Sequence, residues 1–185
     1  QAREQFLFVK HHNLETVSQM YEDTDLQLIG VSGDGDVLDN YWNRGLKGFQ
    51  IGFGHLTQYD AFDKQFYRLA GVPFEKRWSS FKVNRCEKKE QSLIYQLNLP
   101  AKFALLHEDE SRGYVIDRNK VNLPIVKVSQ ISGFTMIDWL GVADLAEEIH
   151  VIDSSFLSLI DQSNLKLNLF SHKSSRNAND WGTPT

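Results

Sequence analysis

The sequence predicts an α/β protein built of two small Rossmann-like halves with mainly parallel sheets. Three observations lead there. Short apolar, β-branched runs alternate with amphipathic helical segments along the chain. Phe6–Val9, a helical segment and Leu26–Val31 follow one another within about 30 residues, the size of a crossover unit. Near the other end, Ile149-His150-Val151-Ile152 runs through Asp153-Ser154-Ser155 straight into a helix with Phe156, Leu159 and Ile160 on its apolar face.

Taken in order, Phe6-Leu7-Phe8-Val9 is a buried strand, and Asn13 caps a helix carrying Leu14, Val17, Met20 and Tyr21 at helical spacing. Leu26–Val31 is the second strand. Gly33-Asp34-Gly35-Asp36 is a turn, without the ligand pattern of a calcium loop, and 37–43 is a short helix. Residues 48–54 read as a strand entering a glycine turn, with His55 at its carboxyl end. Residues 61–70 form an amphipathic helix stopped by Gly71; 72–78 is extended, since Pro73 bars a helix start at Val72. A helix over 87–97 turns Leu93, Ile94 and Leu97 inward and ends at Pro100. Strands follow at 103–107 and 124–128, with Tyr114-Val115-Ile116 as a short strand between them. Thr135 caps a helix over 136–147, in which Ile137, Leu140, Ala143 and Leu145 are the apolar content. Residues 165–170 alternate as a final strand, and 174–185 is a polar tail carrying Trp181 and Pro184. The halves meet near residue 99: an N-terminal half over 1–98, a C-terminal half over 99–173, then the tail.

Composition narrows the function classes. A net charge of −4 argues against a general nucleic-acid binder, which needs a basic face. The single cysteine, Cys86, cannot make an internal disulfide, which points to a reducing compartment, the cytoplasm. No apolar run approaches the length of a membrane span. The chain opens on Gln1 and enters a strand almost at once, as a chain lacking its first strand and helix would.

In an open α/β sheet a ligand sits outside the carboxyl ends of the strands. The loops 107–113, 128–133 and 153–156 collect there. Arg112 is the arginine of those loops, and its rigid fork of donors suits a diphosphate. Ser154 and Ser155 add hydroxyls and backbone N–H groups at a helix start. The plainer alternatives are that the serines only cap the helix and that Arg112 pairs with Glu108, Asp109 or Glu110. His107, Gly113 and Asp153 line the same region; His150 reads as a satisfied core histidine. His55 and Asp109 are candidate general bases because they close strands near the cleft. His11 and His12 could suggest a metal, but neighbours on an extended segment point to opposite faces. The spacings of a Walker loop, a dinucleotide fingerprint, a nucleophile elbow and a zinc site are all missing.

The segment from Glu147 to Phe156, with Phe103 to Gly113 upstream, resembles the donor half of GT-B-type glycosyltransferases. It is most similar to fucosyltransferase- and heptosyltransferase-like proteins of surface-polysaccharide biosynthesis. Residues 62–67 and 74–78 resemble small members of the same group. The resemblance implies a nucleotide-sugar substrate, a glycan or lipid-linked acceptor, no further cofactor and no metal. It implies that Arg112, Ser154, Ser155 and Phe156 hold the donor diphosphate. The Gly-Leu-Gly-Asp-like loop with which such proteins begin does not occur. Two other classes stay open: a noncatalytic nucleotide- or phosphate-binding module, and a structural or interaction protein in which the Ser-Ser turn is only a cap.

Overall fold

The computed structural model describes residues 5–43, 45, 62–163, 165 and 168–172. The protein is mixed α/β; the described residues form one two-stranded and one four-stranded sheet, all of whose strands are parallel. The expected strand and glycine turn over 48–54, His55 and the tail over 174–185 lie outside the described residues.

Contacts divide the chain into Gln1–Gln50 with Lys82–Asn84, and Ile51–Phe81 with Arg85–Thr185. The first unit holds β1 (Phe6–Lys10), a 3-10 turn (His11–Asn13), α1 (Leu14–Met20), β2 (Gln27–Val31) and α2 (Asp34–Asn43). β1 and β2 pair in parallel from Phe6 opposite Gln27 to Lys10 opposite Val31, so this is the crossover unit read from the spacing. Among its described residues Val9 and Val31 are buried. Gly30 is where His11 covers the strand: a Cβ there would meet the His11 ring at 2.6 Å. His11 and His12 lie in the 3-10 turn, not on extended chain.

The second unit holds α3 (Phe62–Leu69), α4 (Lys76–Ser79), α5 (Glu87–Leu97), β3 (Ala104–His107), β4 (Ile125–Lys127), α6 (Trp139–Ala143), β5 (Glu148–Val151), α7 (Ser155–Gln162) and β6 (Leu169–Ser171). The boundary expected at 98/99 is therefore displaced: α5 belongs with the second sheet, because it packs on α6. The approach is close. Gly141 of α6 lies against Glu90 of α5, and a Cβ at Gly141 would meet the Glu90 Cβ at 2.7 Å.

The strand order is β4-β3-β5-β6. From β3 the chain steps outward to β4, returns past β3 to β5, then steps outward the other way to β6. The connections leaving β3 and β5 thus depart toward opposite edges, which makes the carboxyl ends of these two central strands the switch point of the sheet, the place where open α/β sheets take their ligands. Apolar side chains carry the burial of β3 and β5: Ala104, Leu105, Leu106, Ile149 and Val151 are all inaccessible to solvent.

Several local expectations shift. The stretch read as extended contains the helical turn α4, in which Arg77 packs between Phe74 and Trp78 with its Cζ 5.1 and 5.0 Å from the two ring centroids. α5 closes at Asn98, which takes the left-handed conformation at φ 46°, before Pro100 is reached. Tyr114 makes only an isolated antiparallel bridge with Asp109. The helix expected over 136–147 is a 3-10 turn (Met136–Asp138) followed by α6, ending at Ala143, and Leu145 is exposed. Thr135 does open it: its amide and hydroxyl donate to Asp138 Oδ2 at 2.7 and 3.1 Å. β6 begins at Leu169, later than read.

Candidate functional site

The candidate site is built from the ends of two paired strands. His107 closes β3 and lies in register with Val151 of β5, and the Ile152 amide donates to the His107 carbonyl at 3.2 Å. Just beyond, Asp153 and Ser154 turn the chain into α7. Ser154 is in extended conformation at the cap position, and its hydroxyl accepts from the Leu157 amide at 3.3 Å. The same hydroxyl shares a 3.3 Å hydrogen bond with His107 Nδ1. The His107 ring stacks on Phe156, with centroids 4.9 Å apart and planes 25° apart. Burial lowers the His107 pKa below its ordinary value, and Asp109 and Glu108 oppose that shift only in part. The shift favours the uncharged ring.

The other wall is the loop after β3. Asp109 and Tyr114 exchange backbone hydrogen bonds of 2.9 Å in both directions, closing a tight loop around a 3-10 turn (Glu110–Arg112). Gly113 ends that turn at φ 76°, a conformation that favours glycine; a Cβ there would meet nothing, so the reason is backbone geometry, not space. Arg112 is pinned at one end. Its Nε donates to Asp109 Oδ2 at 2.5 Å, and its Cζ lies 5.6 Å from the Tyr114 ring centroid. Its side chain is 62% exposed, and among the described residues its two terminal nitrogens have no hydrogen-bond partner. The pairing with Asp109 is the local alternative that the loop's charges offered, yet it leaves the outer edge of the guanidinium open.

Glu108, which the sequence offered only as a partner for Arg112, holds this loop in place. Its carboxylate is fully buried and accepts from the Ile116 amide at 2.9 Å and from Arg118 Nη1 at 3.0 Å; Arg118 Nη2 and Lys127 Nζ complete the set. Burial alone would raise its pKa, but Arg118, the Ile116 amide and Lys127 outweigh it and hold the carboxyl at about 2. Arg118 stands ten positions along an irregular loop, and no periodicity links it to Glu108.

The sequence-derived candidates separate as follows. His107 and Ser154 touch. Asp109, Arg112 and Gly113 form the loop wall. No hydrogen bond joins Arg112 to Ser154 or Ser155. Ser155 is exposed at the first turn of α7, with its hydroxyl 3.8 Å from Met136 Sδ. Asp153 is buried beside the turn. Phe156 does not fit the role of a diphosphate contact: its side chain is wholly buried under His107, leaving only its backbone amide at the helix start. Asp109 is a poor general base, since hydrogen bonds from Ser111 and then Arg112 hold its pKa below the ordinary value. His55 lies outside the described residues.

Among the described residues no group of three or more His, Cys, Asp and Glu is placed to hold a metal ion, and no helix is long and apolar enough to cross a membrane. Comparison with known family models, curated proteins and solved structures returns no match.

Proposed function

We propose that this protein transfers a sugar from a nucleotide-sugar donor to a glycan or lipid-linked acceptor, holding the donor diphosphate at the carboxyl ends of β3 and β5. The observation that carries the reading is the strand order, which puts the switch point of the sheet between the two strands that deliver His107 and Ser154. Charge on the diphosphate would be met by the open edge of Arg112, by the Ser155 hydroxyl and by the backbone N–H groups of the first turn of α7. Ser154 would act from behind, fixing the turn and the His107 ring. A cytoplasmic location goes with this reading, given one cysteine without a disulfide partner. The resemblance to GT-B-type donor halves supplies the reaction class.

A second reading is favoured by the state of Asp109. With its carboxylate occupied by Ser111 and Arg112, the loop offers a binding surface and no ready proton acceptor. A nucleotide-binding module without transfer activity would look the same. Titration with GDP-, UDP- and ADP-sugars, followed by an assay for diphosphate release with glycan acceptors, tests both. Selective binding with acceptor-dependent release supports transfer; binding without release supports the module. Absence of binding to every donor overturns both.

A further inference from the structure

On the side of the same sheet that faces its β6 edge, His150 of β5 uses both ring nitrogens while almost wholly buried. Its Nε2 lies 3.1 Å from Glu148 Oε2 and its Nδ1 lies 2.9 Å from His172 Nε2. In the sheet register its neighbours are Leu106 on β3 and Phe170 on β6; the Phe170 ring stacks on it at 4.7 Å and 12°. His172 follows β6 directly, and its amide donates to the Val151 carbonyl at 2.8 Å. β6 is an edge strand of three residues, so few ladder bonds hold it.

The two imidazoles constrain each other. An ionised carboxylate only accepts, so Glu148 places the His150 proton on Nε2, and Nδ1 must then accept from His172 Nε2. A single added proton can be accommodated, because protonated His150 donates from both nitrogens and neutral His172 can present Nε2 as the acceptor. A second proton cannot. Two N–H donors would then face each other across 2.9 Å, with two positive charges beside a buried strand.

We propose that the His150–His172 pair is an acid-sensitive latch, which holds β6 on β5 while the rings share at most one added proton and releases it when each ring carries its own. The charged groups around it act in known directions. Glu148 faces His150 from β5, and Leu106 of β3 brings no charge. Lys120 and Asp117 face His172 from the loop before β4. Burial, then His150 and Lys120, push the His172 pKa below its ordinary value, and Asp117 opposes them. A histidine whose pKa is lower when folded contributes stability that is complete above the unfolded value of about 6.5. That stability is lost as the pH falls through the folded value. The latch therefore loosens on the acid side of about 6.5.

Residue-resolved hydrogen exchange on the full chain tests this. After correction for the intrinsic pH dependence of exchange, the His172 amide should lose protection between neutral and mildly acid pH. The Val128 amide, bonded to the Leu106 carbonyl at 2.8 Å on the opposite side of β3, should keep its protection. His172→Gln keeps an N–H donor for His150 Nδ1 and does not titrate, so its His172-position protection should become independent of pH. Equal protection of the wild-type amide at both pH values, or an unchanged pH dependence in His172→Gln, would overturn the proposal. Should that variant not fold, the wild-type imidazole resonances decide: coupled two-step titration supports the latch, and independent one-step titration of the two rings overturns it.

Discussion

The Ser154 hydroxyl joins two neighbouring strand ends: it caps α7 through the Leu157 amide and lies 3.3 Å from Nδ1 of His107. One oxygen thus serves helix, turn and imidazole together, whereas the adjacent Ser155 hydroxyl has only a long contact with Met136. The two serines should separate on substitution. Ser154→Ala should cost about 1 kcal/mol, the usual worth of a serine cap. Ser155→Ala should change stability by less than about 0.5 kcal/mol, as exposed positions do. Urea denaturation of both variants at neutral pH measures the difference. Equal, negligible effects would show that Ser154 does not organise the turn.

Arg112 distinguishes a binding surface from a loop brace. Its bond to Asp109 is largely solvent-exposed and worth little, so Arg112→Ala should leave the unfolding midpoint almost unmoved, within about 0.5 kcal/mol. Loss of a charge-assisted contact to a diphosphate should weaken donor binding by about tenfold or more. Calorimetric titration of the wild type and Arg112→Ala with the nucleotide sugar that binds best gives both numbers. Unchanged affinity would remove Arg112 from the site, and a large loss of stability would make it a structural residue.

Glu108 sets an acid limit on the fold. Its carboxyl titrates at about 2 in the folded protein, below its ordinary 4.5. The unfolded chain therefore binds the proton first, and stability falls as pH drops from the ordinary value toward the folded one. Glu108→Gln should lose about 2 kcal/mol at neutral pH, where the ionised form makes its charge-assisted bonds. It should also flatten the stability profile between about pH 5 and pH 2. Denaturant melts of both proteins across that range check it. A parallel acid slope in the two would place the responsible carboxylate elsewhere.

What the sequence made legible depended on how local the cause was. α5 runs from Glu87 to Leu97 as read, because Leu93, Ile94 and Leu97 carry the pattern within a few turns. The strand, turn and helix around Ser154 were legible for the same reason, and so was the parallel pairing of β1 with β2. α4 was not, since its turn is wrapped around Arg77, whose partners Asp63 and Asp161 stand 14 and 84 positions away. Nor was the end of α6, where Asp144 is drawn to Arg85, 59 positions earlier. At the site, loops were assigned to the right strand ends, but Phe156 was given two roles that one ring cannot fill. It lies on the apolar face of α7, and burial there removes its side chain from any anion. The order of the four strands, which sets the switch point of the sheet, left no trace in local pattern.

Gly141 tests the contact that decides which helices belong to the second sheet. α6 is short and buried on all sides, and Gly141 sits in its middle, where glycine is otherwise unfavourable. Its use is proximity. The Glu90 side chain occupies the space a methyl would take, and Arg85 fixes that side chain with hydrogen bonds of 2.7 and 2.8 Å, so Glu90 cannot swing away freely. A methyl at Gly141 would fall 2.7 Å from the Glu90 Cβ, an atom that moves only with α5 itself. Helix propensity alone predicts that Gly141→Ala stabilises by roughly 1 kcal/mol. Overpacking predicts a loss of about 1–3 kcal/mol, and we expect the second to win because Glu90 is held from both sides. Glu90→Ala leaves the Cβ in place and removes the fork, so it should not rescue Gly141→Ala, whereas Glu90→Gly should rescue it in part. A double-mutant cycle by denaturant unfolding measures these couplings. A more stable Gly141→Ala would mean that α5 and α6 can part at little cost.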